Sequence, residues 1–310
     1  QSRILYFAIG LPLLSFMVVQ RFLRVHRAIN ILYGIVVLFF LLSYQYLINY
    51  NIVHAAASDT SSNNSSYFLL YLLPFLLCIE KSRSGVYTIK DSKKYLKWML
   101  IFIVVIAVLS SFKRGGTIAV FASLLVYYYV NNIKLTGGSS KILYLLLLLF
   151  TVFIVVSFLN STDNLIIEHL SERFINIKND NGSGRSETIS EALLQFTNSD
   201  VISMLFGHGW NMVEQTLKSG ISAHNDFIEC LYDFGIIGFI LLLRVLFAAY
   251  KYLKSLIANR SIYAAPFAAS CTIFMLNTMV SHILIYPYYL LLFMAFISFV
   301  IYSSSNTEHV

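Results

Sequence analysis

The chain has 310 residues, of which 58% are hydrophobic and only 12% are charged, and its formal net charge is +7. A soluble protein of this length needs far more charge on its surface, so this composition excludes a soluble globular enzyme. The basic residues stand in short segments between apolar runs. That placement is typical of the positive-inside bias of membrane proteins and explains the positive charge better than nucleic-acid binding does.

Repeated apolar runs of roughly 16–22 residues match the length that crosses a bilayer. They predict an all-α polytopic membrane protein with about nine transmembrane helices. The predicted spans, with approximate bounds, are residues 4–19, 29–48, 67–79, 98–112, 117–130, 142–159, 226–249, 262–280 and 288–302. The most basic connection, EKSRSGVYTIKDSKKYLK, is assigned to the cytoplasm. An odd span count with an external first residue indicates that the chain is truncated at its N-terminus.

This topology predicts three parts: six helices in residues 1–159, an external loop in 160–223, and three helices in 224–310. The external loop shows helical rather than strand periodicity, because ERFINIK and RSETISEALLQF space their apolar residues three and four apart. A glycine-rich turn, NDNGSGR, separates the two helical pieces.

Two cations, Lys113 and Arg114, stand at the outer end of the fourth predicted span, against the positive-inside bias. This placement is unfavourable unless an anion is bound there or the side chains extend to lipid head groups, and both explanations stay open. Arg185 follows Gly184 in GSGRSE, where backbone amides beside a helix start can bind an anion. A loop arginine taken alone is more often solvated.

The segment SAHNDFIECLYDFGIIGFILLL passes from a polar loop into an apolar helix. His224 and Asn225 stand at this junction. The ordinary pKa of histidine allows proton exchange near neutral pH, although a lone histidine is more often a satisfied polar side chain than a catalyst.

Three acids, Asp226, Glu229 and Asp233, follow in the first turns, where the positive end of the helix dipole favours negative charge. Glu229 or Asp233 can also orient His224 or pair with an arginine, and the spacing does not choose between them. Gly235 and Gly238 have no side chains, so the helix surface at these positions allows another helix to pack closely.

Motifs for metal or ATP chemistry are not found in the sequence. It contains no DxD pair, no HExxH and no GxxxxGK[ST], so neither a metal ion nor another cofactor is expected.

Taken together, these motifs resemble the O-antigen ligase and Wzy-type polymerase superfamily of bacterial membrane glycosyltransferases. The resemblance covers roughly residues 100–250, about half of the chain. The matching positions are Ser111, Lys113, Arg114, Gly115, Gly184, Arg185, Gly207, Gly209, His224, Asn225, Glu229, Asp233, Gly235 and Gly238.

The resemblance implies a metal-independent enzyme of the bacterial cytoplasmic membrane with its active site on the periplasmic face. A glycan carried on undecaprenyl pyrophosphate would pass to an acceptor hydroxyl, in the synthesis of lipopolysaccharide O-antigen or capsule. Arg114 and Arg185 would stabilise the leaving pyrophosphate, and His224 would activate the acceptor hydroxyl or hold the pyrophosphate. The predicted substrate-binding residues are Lys113, Gly184, Asn225, Glu229 and Asp233.

The expected partners are the lipid-linked oligosaccharide, an acceptor glycan or glycolipid, membrane lipid and other polysaccharide-assembly proteins. A repeat-unit polymerase is favoured, and the alternative within the superfamily is a ligase that transfers the glycan to lipid A-core. The alternative from another class is a transporter or flippase for lipid-linked saccharide. Transporters typically show repeated halves and broken helices at the midplane, whereas the polar groups here gather at one face.

Overall fold

The computed structural model describes residues 64–78, 91–110, 114–135, 185–218, 220–281 and 287–307. Every regular element in these ranges is a helix, in agreement with the predicted all-α class. The α-helices in chain order are α1 (Asn64–Leu77), α2 (Asp91–Ser110), α3 (Arg114–Tyr128), α4 (Arg185–Thr197), α5 (Val201–Phe206), α6 (Met212–Thr216), α7 (Asp226–Ala258), α8 (Ala264–Val280) and α9 (Pro287–Thr307). A π-helical segment, Tyr129–Leu135, follows α3 directly.

Each predicted span that lies in the described ranges coincides with a helix. The two largest differences are at α2, which begins at Asp91 instead of near residue 98, and at α7, which ends at Ala258 instead of near residue 249. The lysines and leucine of KKYLK are good helix formers, so the helix extends into the predicted basic loop. The spans predicted at 4–19, 29–48 and 142–159 lie outside the described residues.

The longest described helix is α7, with 33 residues and a mean hydropathy of 2.1 over its most apolar window. At a rise of about 1.5 Å per residue it is about 50 Å long, more than the ~30 Å thickness of a bilayer hydrocarbon core. Among the described helices it alone is long and apolar enough to cross a membrane, while α8 and Tyr289–Ile301 are shorter apolar helices. The total number of crossings stays a prediction.

The described residues fall into two compact units. One contains residues 64–135, 256–274 and 287–307, and the other contains residues 185–255 and 275–281. The second unit therefore includes both the described part of the external loop and most of α7. The three-part division of the chain stays a prediction.

In the first unit, α1 is enclosed by other helices, as expected for a helix that is apolar all round. It packs on α2, α3 and α9, and its leucines are buried. Tyr71 stacks on Tyr289 of α9 with ring centroids 5.6 Å apart, and Phe75 meets Phe296 edge-on at 4.9 Å. These aromatic contacts join the beginning and the end of the described chain in one core.

In the second unit, the loop helices pack against the first turns of α7. Thr188, Ala192 and Phe196 are four residues apart, so α4 presents one face to this core. The buried members of the core are Ala192, Phe196, Val213, Leu217, Ala223 and Tyr232. Because Tyr232 belongs to α7, the loop helices and the start of α7 share one hydrophobic core.

Candidate functional site

Asn225 caps the N-terminus of α7. Its Oδ1 accepts hydrogen bonds from the backbone N–H groups of Phe227 and Ile228, at 3.0 and 3.3 Å. These are donors that no carbonyl of the helix itself can reach, so an asparagine at this position stabilises the helix start. In the structure the side-chain oxygen of Asn225 therefore caps the helix. The predicted substrate-binding role of Asn225 stays a prediction.

Glu229 holds the backbone of His224. The buried Glu229 Oε1 accepts the hydroxyl of Ser222 and also the backbone N–H of His224, the latter at 3.1 Å. Ser222 Oγ accepts the same N–H at 3.1 Å. The φ angle of His224 is 50°, in the left-handed region that few residues other than glycine adopt. Glu229 and Ser222 therefore stabilise an unusual backbone conformation at the candidate catalytic residue.

Asp233 caps a different helix. Its buried carboxylate accepts the backbone N–H groups of Asn211, Met212 and Val213 at 2.6, 3.0 and 3.3 Å. These groups begin α6, and the side chain of Asn211 makes no capping hydrogen bond of its own. Three backbone N–H groups at the start of α6 thus bond to one side chain of α7, so Asp233 attaches α6 to α7.

Gly207 and Gly235 bring the backbone of the loop into direct contact with α7. Their φ angles are 82° and 68°, and α7 is broken at Gly235. A Cβ atom on Gly207 would overlap the backbone of Asp233, and one on Gly235 would overlap the backbone of Leu205. The close neighbour of Gly235 is therefore the end of the short loop helix α5.

Gly238 has a different role from Gly235. A Cβ atom at Gly238 would collide with the side chain of Phe234, one turn earlier in the same helix. The missing side chain at Gly238 thus makes room for an aromatic ring of α7 itself. The Phe234 ring in turn meets Trp210 edge-on, with centroids 5.6 Å apart.

His208 and Tyr232 form a contact that the sequence did not single out. Their rings stack with centroids 4.2 Å apart, and His208 Nδ1 lies 3.1 Å from the carbonyl oxygen of Tyr232. Because a carbonyl oxygen can only accept, Nδ1 carries the hydrogen. His208 Nε2 lies 2.8 Å from Ser199 Oγ, and the Tyr232 hydroxyl donates to Gln195 Oε1 at 2.8 Å. These bonds tie α4 and the loop after it to α7.

Arg185 is the first residue of α4 and is half-buried. Its Nη1 donates to the carbonyl oxygen of Val280 at 3.5 Å. Val280 is the last residue of α8, and the final carbonyls of a helix carry partial negative charge. The structure thus places Arg185 beside the end of an apolar helix.

Arg114 is the first residue of α3, so it too begins a helix. Its side chain lies outside the described part of the structure, as do Lys113 and Gly184.

The structure brings Glu229, Ser222 and the His224 backbone into one cluster and places Asp233 in a second. The convergence of Arg114, Arg185 and His224 in a single pocket stays a prediction.

Backbone N–H groups of the loop donate hydrogen bonds to both Glu229 and Asp233. Within the described ranges, no group of three or more histidines, cysteines and acids is placed to hold a metal ion.

Residues 99–243 match the family model described as O-antigen ligase. The matched stretch contains Arg114, Arg185 and His224, and also both of the carboxylate clusters on α7. It confirms the resemblance drawn from the short motifs, and the matched family is membrane-associated. No curated protein matches the chain significantly. Through residues 99–243, just under half of its length, the chain is similar to the O-antigen ligase and Wzy superfamily.

Proposed function

We propose that this chain is a membrane glycosyltransferase that moves a glycan from undecaprenyl pyrophosphate to an acceptor hydroxyl at the outer face of the bacterial cytoplasmic membrane. The family match supports activity of the O-antigen ligase or polymerase type, and it gives no support to the transporter alternative. The observation that carries the proposal is the position of three candidate residues at or beside helix N-termini. Arg114 and Arg185 each begin a helix, and His224 directly precedes the helix cap Asn225.

Helix N-termini suit an anionic leaving group. Their first backbone N–H groups have no partner in the helix, and the dipole favours negative charge at this end. An arginine as the first residue is the less favourable charge for that dipole. Its presence at the start of both α3 and α4 is explained if each arginine binds an anion such as pyrophosphate, which guanidinium matches in a bidentate way.

The contact that Arg185 makes supports placing Arg185 and His224 on the same side of the membrane. Arg185 contacts Val280, the end of α8, and α8 follows α7 after the short connection 259–263. If both helices cross the membrane, α8 ends on the side where α7 begins. That is the side on which His224 stands.

The reaction then follows from the residue types. His224 takes the proton of the acceptor hydroxyl, whose oxygen forms a bond to the anomeric carbon of the donor glycan. The bond between that carbon and the pyrophosphate oxygen breaks, and its electron pair leaves with undecaprenyl pyrophosphate. Arg114 and Arg185 stabilise the negative charge that develops there.

Two acceptors are compatible with this chemistry. A second lipid-linked repeat unit would make the chain a Wzy-type polymerase, as predicted from the sequence. Lipid A-core would make it an O-antigen ligase, and the family match supports both acceptors equally.

A reconstituted assay distinguishes these outcomes. The chain in proteoliposomes receives a lipid-linked repeat unit, with and without lipid A-core. Longer lipid-linked glycans identify a polymerase, and glycan attached to lipid A-core identifies a ligase. Saccharide that reaches the other side of the vesicle unchanged, with no new glycosidic bond, overturns the proposal in favour of a transporter.

A further inference from the structure

The short helix α5 turns an apolar face outward. Val201, Ile202 and Phe206 are 70%, 71% and 64% exposed, and Leu205 is also exposed. With 3.6 residues per turn, these four side chains occupy one arc of roughly 140° around the helix. Large apolar side chains that are grouped in this way mark an interaction surface more often than isolated ones do.

The other face of α5 is anchored. Met204 packs against the hydrophobic core of the loop helices. Asp200 caps the helix, because its Oδ1 accepts the backbone N–H groups of Ile202 and Ser203 at 2.8 and 3.0 Å. The hydrogen bond from the Ser203 hydroxyl, together with these amides, lowers the pKa of Asp200, so the capping carboxylate stays ionised. The exposed face therefore belongs to a fixed helix.

The position of α5 along α7 indicates what covers this face. The backbone of Leu205 lies against Gly235, nine residues after the start of α7, or about 13 Å along the helix axis. From Gly235 onward α7 itself exposes apolar side chains. They include Ile236, Ile237, Ile240 and Leu241. The apolar face of α5 thus stands beside the point where α7 begins to present its own apolar surface.

The neighbouring helix α4 extends the same surface. It contacts α5, and it exposes Leu193 and Leu194 close to the turn that joins the two helices. By contrast, α6 exposes polar side chains, namely Glu214, Gln215 and Thr216. Among the described loop helices, the exposed apolar side chains therefore lie on α4 and α5.

We propose that the apolar face of α5 lies in the membrane, at the boundary between head groups and hydrocarbon, in the leaflet that α7 enters at its N-terminal end. Its occupant is phospholipid acyl chain. An anchored helix with one apolar face beside a membrane-spanning helix matches the pattern of interfacial helices, which bury that face by several ångströms. This docking concerns the placement of the loop and does not depend on the reaction proposed above.

Spin-label accessibility tests the placement. The background variant carries Cys78→Ser, Cys230→Ala and Cys271→Ala, so that a single introduced cysteine takes the nitroxide label. Labels go on Ile202→Cys and Phe206→Cys in α5, on Leu241→Cys in α7 as the lipid-facing reference, and on Gln215→Cys in α6 as the water-facing reference. The chain is reconstituted in vesicles of phosphatidylethanolamine and phosphatidylglycerol.

Oxygen partitions into lipid and a nickel chelate stays in water, so their collision rates with the label report its surroundings. We expect labels at 202 and 206 to resemble the label at 241, with high access to oxygen and low access to nickel. Access to nickel at the level of position 215 would overturn the proposal. Low access to both reagents would also overturn the proposal, because protein would then cover the face. Spin–spin broadening in that case would identify the covering protein as a second copy of this chain.

Discussion

The carboxylate of Glu229 binds the backbone of His224. The Oε1 atom lies 3.1 Å from the His224 backbone nitrogen and also accepts the hydroxyl of Ser222. Spacing along the sequence suggested that Glu229 could orient His224 or pair with an arginine. In the structure Glu229 contacts the main chain of His224, and we infer that this contact orients the imidazole.

Glu229→Ala should lower kcat roughly 10–100-fold with little change in KM, because losing a charged hydrogen-bond partner costs about 1.5–3 kcal/mol. The arginines that are proposed to bind the donor remain in place. Glu229→Gln keeps an acceptor oxygen and should retain most of the activity. Glu214→Ala removes an exposed acid of the same unit and serves as the control. Wild-type turnover by Glu229→Ala would show that the hydrogen bond between Glu229 and the His224 backbone does not position His224.

His224→Asn should reduce transfer roughly 10²–10⁴-fold, the usual contribution of a general base. Asparagine tolerates the left-handed backbone of residue 224, so this change removes the imidazole without straining the chain. The measurement is initial rate in the reconstituted assay, with size-exclusion elution as the check on folding. A correctly folded variant with near-normal rate would remove His224 from the catalytic residues.

Arg185→Ala should lower the transfer rate roughly 10²–10³-fold, as expected for loss of a group that stabilises developing charge. Arg185→Lys should recover only part of this, because an ammonium group cannot bind phosphate in a bidentate way. Lys218→Ala removes another, exposed cation of the same loop and should leave the rate unchanged. Equal losses in Arg185→Ala and Lys218→Ala would point to a general charge effect instead of a site.

Asp233→Ala should release α6 from α7. Three backbone N–H groups lose their acceptor, and we expect faster hydrogen exchange at residues 211–213 together with a loss of about 2–3 kcal/mol in stability. Asp233→Asn keeps one acceptor oxygen and should show a smaller effect. If exchange at these amides is unchanged in Asp233→Ala, another group caps α6.

Gly207→Ala and Gly220→Ala separate backbone strain from close packing. Both glycines have positive φ, but the space around Gly220 is open, whereas a Cβ on Gly207 would overlap the backbone of Asp233. Gly220→Ala should cost roughly 1–2 kcal/mol, the penalty of a left-handed conformation. Gly207→Ala should cost about 1–3 kcal/mol more because of the added overlap and because its φ of 82° and ψ of −178° lie in a region that almost only glycine adopts. Thermal unfolding in detergent measures both, and equal Tm values would contradict the close contact.

Much of the fold was predictable because it depends on local patterns. Apolar runs predicted helices near α1, α3, α8 and α9, and Asn225 was correctly placed at the start of α7. The bounds of α2 and α7 were less well predicted, since their ends contain good helix formers that continue the helix beyond the apolar run. The pattern around His224 also led to the family that the match confirms.

The sequence by itself predicted the all-α class, the positions of most described helices and the family resemblance, because each depends on residue type and short-range periodicity. Only the tertiary structure decided what the buried acids do. Asp233 binds Asn211, 22 residues away, and Gly235 contacts the end of α5. Such contacts join segments that are distant in sequence, and the periodicity of one segment does not predict which other segment it contacts. A carboxylate in the first turns of a helix looks the same in sequence whether it binds a substrate, a histidine or a neighbouring helix.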